Sequence, residues 1–276
     1  MKPRFVGVAG LPRSGSTLLC QLLAEHPDVY CEGHSSPLCN SLLTLRRGIS
    51  DDPFMLAQLD SQFTTSYGHL KTGMQGLLRG WYADQMDAGV VVDKSRGWLQ
   101  CLDLLLELAP EARLLVPIRE LGQIYGSIES QHQKTVLLDF IDHFADLDRF
   151  NRADQLFAPS KAVGAPLQSI LAVQDFPQSI KDRLYFVKFE DLSLHPQDTM
   201  EKLYQWLGLS AHSVDPDRLN VRPHESDSYY RHKFLHAQRD RVIVPARHDV
   251  PLRVQELIHK AFAWYYDWFY PEFRRP

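Results

Sequence analysis

Residues 5–24 constrain this chain more than any other stretch. The apolar run Phe5-Val6-Gly7-Val8-Ala9 reads as a buried strand. Gly10-Leu11-Pro12-Arg13-Ser14-Gly15-Ser16-Thr17 follows as a glycine-bearing loop, and Leu18-Leu19-Cys20-Gln21-Leu22-Leu23-Ala24 reads as a helix. A loop between a strand and a helix N-terminus aims backbone N–H groups and the positive end of the helix dipole at one point, where an anion is stabilised. Its glycines let the backbone come close to the anion's oxygens. The bland alternative is an ordinary tight strand-to-helix turn.

Gly10 and Gly15 keep the spacing of the nucleoside-triphosphate pattern G-x-x-x-x-G-K-[ST], and Thr17 holds its hydroxyl position. Ser16 stands in the lysine position, and that lysine normally reaches the β- and γ-phosphates. The loop's own cation is Arg13, three residues earlier. The loop therefore suits a phosphate or sulfate group better than Mg-ATP.

The 276 residues are enough for one large α/β domain with a sizeable core. A net charge of −4 gives no support for a nucleic-acid partner, which usually needs a basic surplus. The four cysteines, Cys20, Cys31, Cys39 and Cys101, form no C-x-x-C pair and no metal-ligand spacing. Cys20 and Cys101 fall within apolar helical patterns and read as core residues, and a reducing compartment is expected. No apolar run approaches the ~18 residues of a membrane span, and no secretory signal is evident, so a soluble, cytoplasmic protein is expected.

Four further apolar runs read as strands: Val29-Tyr30-Cys31, Val90-Val91-Val92, Arg113–Ile118 and Leu184–Phe189. Helical periodicity covers roughly 66–87, 97–109, 121–133, 137–155, 163–174, 196–207 and 252–268. Alternating strands and helices predict an α/β, P-loop-type three-layer fold, with a central mostly parallel sheet flanked by helices. Residues 1–276 are expected to form a single domain. Within it, the aperiodic stretch 210–250, rich in Arg, His, Asp and Pro, reads as a lid or substrate loop. The aromatic run from Phe262 to Tyr270 is expected to pack over the core and the lid.

In open α/β sheets, ligands bind beyond the carboxyl ends of the strands. That edge gathers Arg13, His34, Lys94 and Arg119, three cations and one imidazole, which suits a multiply anionic ligand. Ser127 lies eight residues after Arg119. Two helical turns bring its hydroxyl back toward the strand end, where a guanidinium and a hydroxyl can hold one phosphate. Alone, such a pair is common.

Taken in order, these residues resemble the sulfotransferases that use 3′-phosphoadenosine 5′-phosphosulfate (PAPS), most closely the tyrosylprotein-sulfotransferase-like branch and its bacterial relatives. The loop from Leu11 to Leu18 is similar to that family's 5′-phosphosulfate loop, with Pro12-Arg13 where many cytosolic members carry lysine. Glu25-His26-Pro27-Asp28-Val29 is also similar. Arg119 and Ser127 resemble the 3′-phosphate site, and Val187–Leu192 with His195-Pro196 resembles a late strand-and-turn signature. The resemblance spans residue 5 to about 207.

The resemblance implies sulfuryl transfer from PAPS to an acceptor hydroxyl, with 3′-phosphoadenosine 5′-phosphate (PAP) as product and no metal required. Arg13, Ser14, Gly15, Ser16 and Thr17 then hold the 5′ end, and Arg119 and Ser127 the 3′-phosphate. Arg13 faces the sulfuryl oxygens and Lys94 stabilises the leaving group. The general base is His34, at the position of a glutamate in the protein-tyrosine branch, with Glu32 as its competitor. Val244 stands where that branch has a lysine, and Arg231, Lys233, Arg239, Arg241 and Arg247 are all candidates to close over the nucleotide. A small-molecule or glycan hydroxyl is preferred over protein tyrosine as acceptor.

Two other readings stay open. A P-loop small-molecule kinase would need Mg-ATP, with Asp93 as the candidate magnesium-binding carboxylate. A non-catalytic PAP-binding module would bind without turnover. His224, His232, His236 and His248 cluster only loosely, so no metal site is expected, and no G-x-S-x-G elbow supports a hydrolase.

Overall fold

The structure, a computed structural model, describes residues 3–223, 228, 230–235 and 239–273. Five strands form one sheet: β1 (Arg4–Val8), β2 (Val29–Tyr30), β3 (Val90–Lys94), β4 (Arg113–Ile118) and β5 (Leu184–Lys188). Their spatial order is β2-β3-β1-β4-β5, and every pairing is parallel. The expected three-layer, P-loop-type α/β fold is therefore present, with a sheet that is parallel throughout.

Helices cover both faces: α1 (Ser16–Leu23), α2 (Leu38–Asp51), α3 (Pro53–Gly80), α4 (Leu102–Leu108), α5 (Leu121–Lys134), α6 (Arg149–Phe157), α7 (Gly164–Ala172), α8 (Gln178–Lys181), α9 (Phe189–Leu194), α10 (Pro196–Leu207), α11 (Leu252–Ala261) and α12 (Ala263–Phe269). Successive strand side chains point to opposite faces. Thus Leu114 and Val116 of β4 join one core with Trp98, Leu105, Leu121, Ile124 and Tyr265. Leu115 joins the other, with Val6, Val8, Leu19, Leu22, Val92 and Leu203. Leu19, Leu22 and Leu23 are fully buried, each contributing about 1.5–3 kcal/mol, and their burial fixes α1 and the loop before it.

Register sets the site. Val8 pairs with Lys94 on one side and Leu115 on the other, and Ile118 pairs with Lys188. The chain after β1 therefore emerges between the ends of β3 and β4.

Several helical expectations shift. The helix expected at 66–87 starts at Pro53 and ends at Gly80, with non-helical backbone at Gln62. Asp52 caps it by accepting from Met55 N at 2.7 Å. The preceding α2 was not anticipated; it buries only Leu38, Cys39 and Leu42, so its apolar period is short. The stretch 97–109 divides into a 3-10 turn, Arg96–Leu99, and α4. Most of 137–148 is irregular, with Asp139 accepting from Phe140 N and Ala145 N, and α6 begins only after the Asp148 cap. The C-terminal pattern breaks at Phe262 into α11 and α12.

The described residues within 210–250 contain neither helix nor strand. They are fastened along α1: Gln21 donates to the carbonyls of Val221 and Arg239, and Glu25 accepts from Asn220 N. All four cysteines are buried free thiols, with Cys39 Sγ 3.3 Å from Cys101 Sγ. Among the described residues, no helix is long and apolar enough to cross a membrane.

Candidate active site

The loop after β1 is shaped by two glycines that no other residue could replace without strain. Gly10 has φ +112°, and a Cβ there would lie 2.5 Å from the Pro117 carbonyl oxygen. Gly15 has φ +85°, and a Cβ there would lie 2.4 Å from Phe189 Cδ2. Ser14 is buried, and its hydroxyl donates to the Leu11 carbonyl at 2.6 Å. It braces the loop, so its own contribution to an anion is its backbone. Ser16 and Thr17 open α1, where the first N–H groups have no partner within the helix.

Three cations converge on this loop. Lys94 Nζ donates to Thr17 Oγ1 at 3.0 Å and to the Gly33 carbonyl at 2.9 Å. Arg13 has a left-handed backbone, φ +60°. Its Nε donates to Ser127 Oγ at 3.1 Å, while Nη1 donates to the carbonyls of Phe234 and Leu235. Arg119 Nη1 donates to the Arg13 carbonyl at 3.1 Å, and its guanidinium stacks 4.5 Å from the Phe189 ring. Arg119 is 6 % exposed, and its buried Nε has no hydrogen-bond partner among the described residues. Burial pulls its pKa down, countered by the charge of Glu190.

The turn carrying Arg119 is held from the C-terminus. Tyr265 Oη donates to the Arg119 carbonyl at 2.9 Å, and Tyr266 Oη donates to Glu120 at 2.6 Å. Glu120 caps α5 by accepting from Gly122 N and Gln123 N. Tyr270 donates to Glu190, which also accepts from Glu120 N. The aromatic C-terminal run thus packs on the core and orients a site residue. His248 reaches the same place: its backbone pairs both ways with the Gln123 amide, and a Cβ on Gly126 would lie 2.4 Å from its Cβ. Its pKa is lowered by burial and then by Arg119, Arg13 and Lys134.

His34 faces a different space. A cavity of about 220 Å³ opens beside Lys94, lined by Tyr30, Glu32, His34, Trp81, Tyr82 and Asp84 among others. His34 Nε2 lies 2.8 Å from Glu32 Oε2, and Tyr30 Oη donates to the other oxygen of Glu32. Both base candidates therefore form one pair, which accounts for the ambiguity in the sequence. Asp93 faces away from the loop: it accepts from Trp98 Nε1 at 2.7 Å and Tyr82 Oη at 2.6 Å, and burial raises its pKa.

Sequence reading missed Arg96, Phe189 and Phe234. Arg96 and Phe234 line the small pocket of about 20 Å³ with Arg13 and Lys94, room for about one water. Arg96 lies 5.0 Å from the Tyr230 ring. Phe189 sits within the late signature, and its ring supports both Gly15 and Arg119.

Three of the five candidates to close over the nucleotide, Arg231, Lys233 and Arg247, have their charged groups engaged elsewhere in the fold. Lys233 is fully buried, donating to Thr135, with its Nζ 2.9 Å from His132 Nδ1. Arg231 donates to the Phe140 carbonyl, and Arg247 lies over the Phe273 ring. Arg239 and Arg241 are exposed. His224 and His236 lie outside the described residues, and among those described no three His, Cys, Asp or Glu side chains form a metal-binding group.

Residues 5–213 match the Sulfotransferase family. The chain is 26 % identical over 207 residues to protein-tyrosine sulfotransferase 2 of Gallus gallus, covering 75 % of this chain and 51 % of that protein. It is 24 % identical over 209 residues to a protein-tyrosine sulfotransferase of Drosophila melanogaster, covering 74 % and 38 %. The chain thus spans about half the length, or less, of these curated relatives. Among solved structures, sulfotransferase STF9 of Mycobacterium avium superposes with a TM-score of 0.49 at 17 % identity, over 98 % of this chain and 78 % of that one. With a family match over residues 5–213, which takes in the glycine loop and the residues that converge on it, the chain belongs to the sulfotransferase family.

Proposed function

We propose that this enzyme moves the sulfuryl group of PAPS to an acceptor hydroxyl. The observation that carries the reading is the meeting of Arg13, Arg119 and Ser127 beside the glycine loop, with the buried Arg119 Nε lacking a partner. A guanidinium donor buried without an acceptor is costly unless an anion satisfies it. When bound, PAPS supplies a sulfuryl group already activated on a phosphate leaving group.

The chain's residues divide the remaining work. Arg119 and Ser127 hold the 3′-phosphate. The Ser16 and Thr17 backbone, with Arg13, holds the 5′ end. Lys94, beside Thr17, neutralises charge that grows on the departing oxygen. His34 takes the acceptor proton at Nδ1, since Nε2 faces Glu32, which orients the ring. With Arg13 and Lys94 beside the loop to neutralise the charge of the transferring group, this reading requires no metal.

The similarity to protein-tyrosine sulfotransferases favours a protein tyrosyl hydroxyl as acceptor over a small-molecule or glycan hydroxyl. The kinase alternative is weakened because the Asp93 carboxylate is engaged with Trp98 and Tyr82. The non-catalytic alternative is weakened because His34 and Lys94 line one cavity.

Titration calorimetry with PAP in metal-free buffer, beside Mg-ATP, tests the reading. Binding of PAP that is lost in Arg119→Ala supports it. Binding of Mg-ATP with no response to PAP overturns it, and PAP binding without sulfuryl transfer to any phenolic acceptor leaves the binding-module alternative.

A further inference from the structure

The cavity beside His34 has a chemistry that the transfer reaction does not require. Two of its walls are tyrosine rings set nearly at right angles: Tyr30 and Tyr82 have centroids 6.1 Å apart and ring planes 72° apart. Trp81, 46 % exposed, supplies a third aromatic wall at the outer side. Both phenols donate to carboxylates, Tyr30 to Glu32 and Tyr82 to Asp93. The hydroxyls are thereby fixed, and with them the positions of both rings along the cavity wall.

The charged residues are graded along the same cavity. Lys94 is 7 % exposed and engaged with Thr17 and Gly33, so it marks the inner end next to the loop. Glu32 and Asp84 are exposed and mark the outer side. His34 lies between them, turned toward Glu32. An acceptor whose hydroxyl sits at His34 and Lys94 therefore has three aromatic side chains and two carboxylates around its other end. Aromatic faces attract cations through their quadrupole, and several such faces beside a carboxylate suit an ammonium or guanidinium group. An acidic neighbour would instead meet Glu32 and Asp84 at the mouth.

We propose that this cavity is an aromatic cage, and that the acceptor carries a cationic group at the end remote from the hydroxyl that is sulfated. The proposal rests on the sulfotransferase reading for the hydroxyl and on the cavity walls for the cation. Selectivity arises at Trp81, Tyr30, Tyr82 and Asp84, while Lys94 and His34 act on the reacting end. The cation can belong to a small amine or to a basic side chain beside a tyrosine, and the two sources are separable by experiment.

The test compares tyramine with 4-ethylphenol, two phenols of similar size that differ by the ammonium group. Each is titrated into the full chain saturated with PAP. Tyramine is expected to bind at least tenfold more tightly. Trp81→Leu and Asp84→Asn are each expected to weaken tyramine about fivefold or more while leaving 4-ethylphenol within twofold. Equal affinity, or a tyramine preference untouched by both substitutions, overturns the proposal. Thermal melts confirm that each variant is folded, and two independent variants guard against one that is not. Tyrosine peptides flanked by lysine or by glutamate locate the source of the cation: preference for the lysine peptide over tyramine assigns a basic peptide, and the reverse assigns a small amine. Preference for the glutamate peptide over both overturns the cage. If PAP fails to bind but tyramine still outbinds 4-ethylphenol, the sulfotransferase reading falls and the cage stands; PAP binding without the tyramine preference is the opposite outcome.

Discussion

Arg13 Nε donates to Ser127 Oγ across 3.1 Å, and the Arg13 carbonyl accepts from Arg119. The two candidate anion sites that the sequence presents separately share one arginine. A nucleotide phosphorylated at both ends would meet an interlocked set of donors, so a change at one end is felt at the other.

Arg119→Ala should lower PAP affinity by at least tenfold, because a hydrogen bond from a charged donor contributes about 1.5–3 kcal/mol. Ser127→Ala should cost less, about 0.5–1.5 kcal/mol, since a neutral hydroxyl is lost. Adenosine 5′-phosphosulfate, which lacks the 3′-phosphate, should lose clearly less than PAP on Arg119→Ala, keeping only the part transmitted through Arg13. Calorimetry with both nucleotides measures the difference, and equal losses would remove the 3′ assignment.

Gly15→Ala should damage the loop twice over. Its backbone has φ +85°, and the added methyl would press on the Phe189 ring that supports Arg119. A stability loss of about 1–3 kcal/mol is expected from the strained backbone alone. Chemical denaturation and PAP titration should both register it, whereas an unchanged midpoint would show that Phe189 gives way freely.

Lys94→Met should lower kcat by about 10²–10³ fold, as removal of one preorganised charge-stabilising donor does, with a smaller change in PAP affinity. His34→Gln and Glu32→Gln separate the base from its orienting partner. If His34 is the base, its removal should cost about 10²–10⁴ fold in rate and Glu32→Gln less. The opposite order in steady-state assays would make Glu32 the base.

PAP affinity should rise as pH falls toward the histidine range. His248 is held below its ordinary value of 6.5 by burial and by Arg119, Arg13 and Lys134. A bound phosphate would raise that value, so binding takes up a proton and is favoured at lower pH. Calorimetry in buffers of different ionisation enthalpy reads this uptake, and His248→Gln should abolish it.

The fold also contains a buried ion pair remote from the cavity. Arg152 donates to both oxygens of Glu129, at 2.9 and 3.0 Å. Burial raises the Glu129 pKa, but the Arg152 hydrogen bond and charge outweigh it, and the net shift is downward from 4.5. A lowered carboxylate pKa contributes stability above about pH 4.5, which is lost as pH falls through the folded-state value. Arg152→Ala should destabilise by at most about 3–5 kcal/mol, because the buried carboxylate keeps only Arg149, at 3.6 Å, and Gln133. Urea midpoints at neutral and acid pH should show the variant's deficit shrinking on acidification.

Much of the framework was legible because its signals are local. Parallel strands buried on both faces are continuous apolar runs, and all five were found to within a residue or two. Helices α2 and α3 are poorly legible because they bury few side chains and α3 carries exposed Phe54, Leu56 and Phe63. With so little burial, periodicity is weak, and the caps at Asp52 and Pro53 are better guides. Arg96 and Phe234 escaped notice because each resembles an ordinary surface or loop residue until the pocket is assembled.

By itself, the sequence determined the strand, glycine loop and helix of residues 5–24, the parallel α/β class, and the candidates Arg13, His34, Lys94, Arg119 and Ser127. These depend on short-range backbone geometry, which neighbouring residues dictate. The tertiary structure alone decided that Arg13 meets Ser127, that Tyr265 holds Arg119, and that His34 and Glu32 share an aromatic cavity with Trp81. Those pairings follow from the sheet order β3-β1-β4 and from packing of the C-terminal helices. Non-local burial selects such arrangements, and no local pattern encodes them.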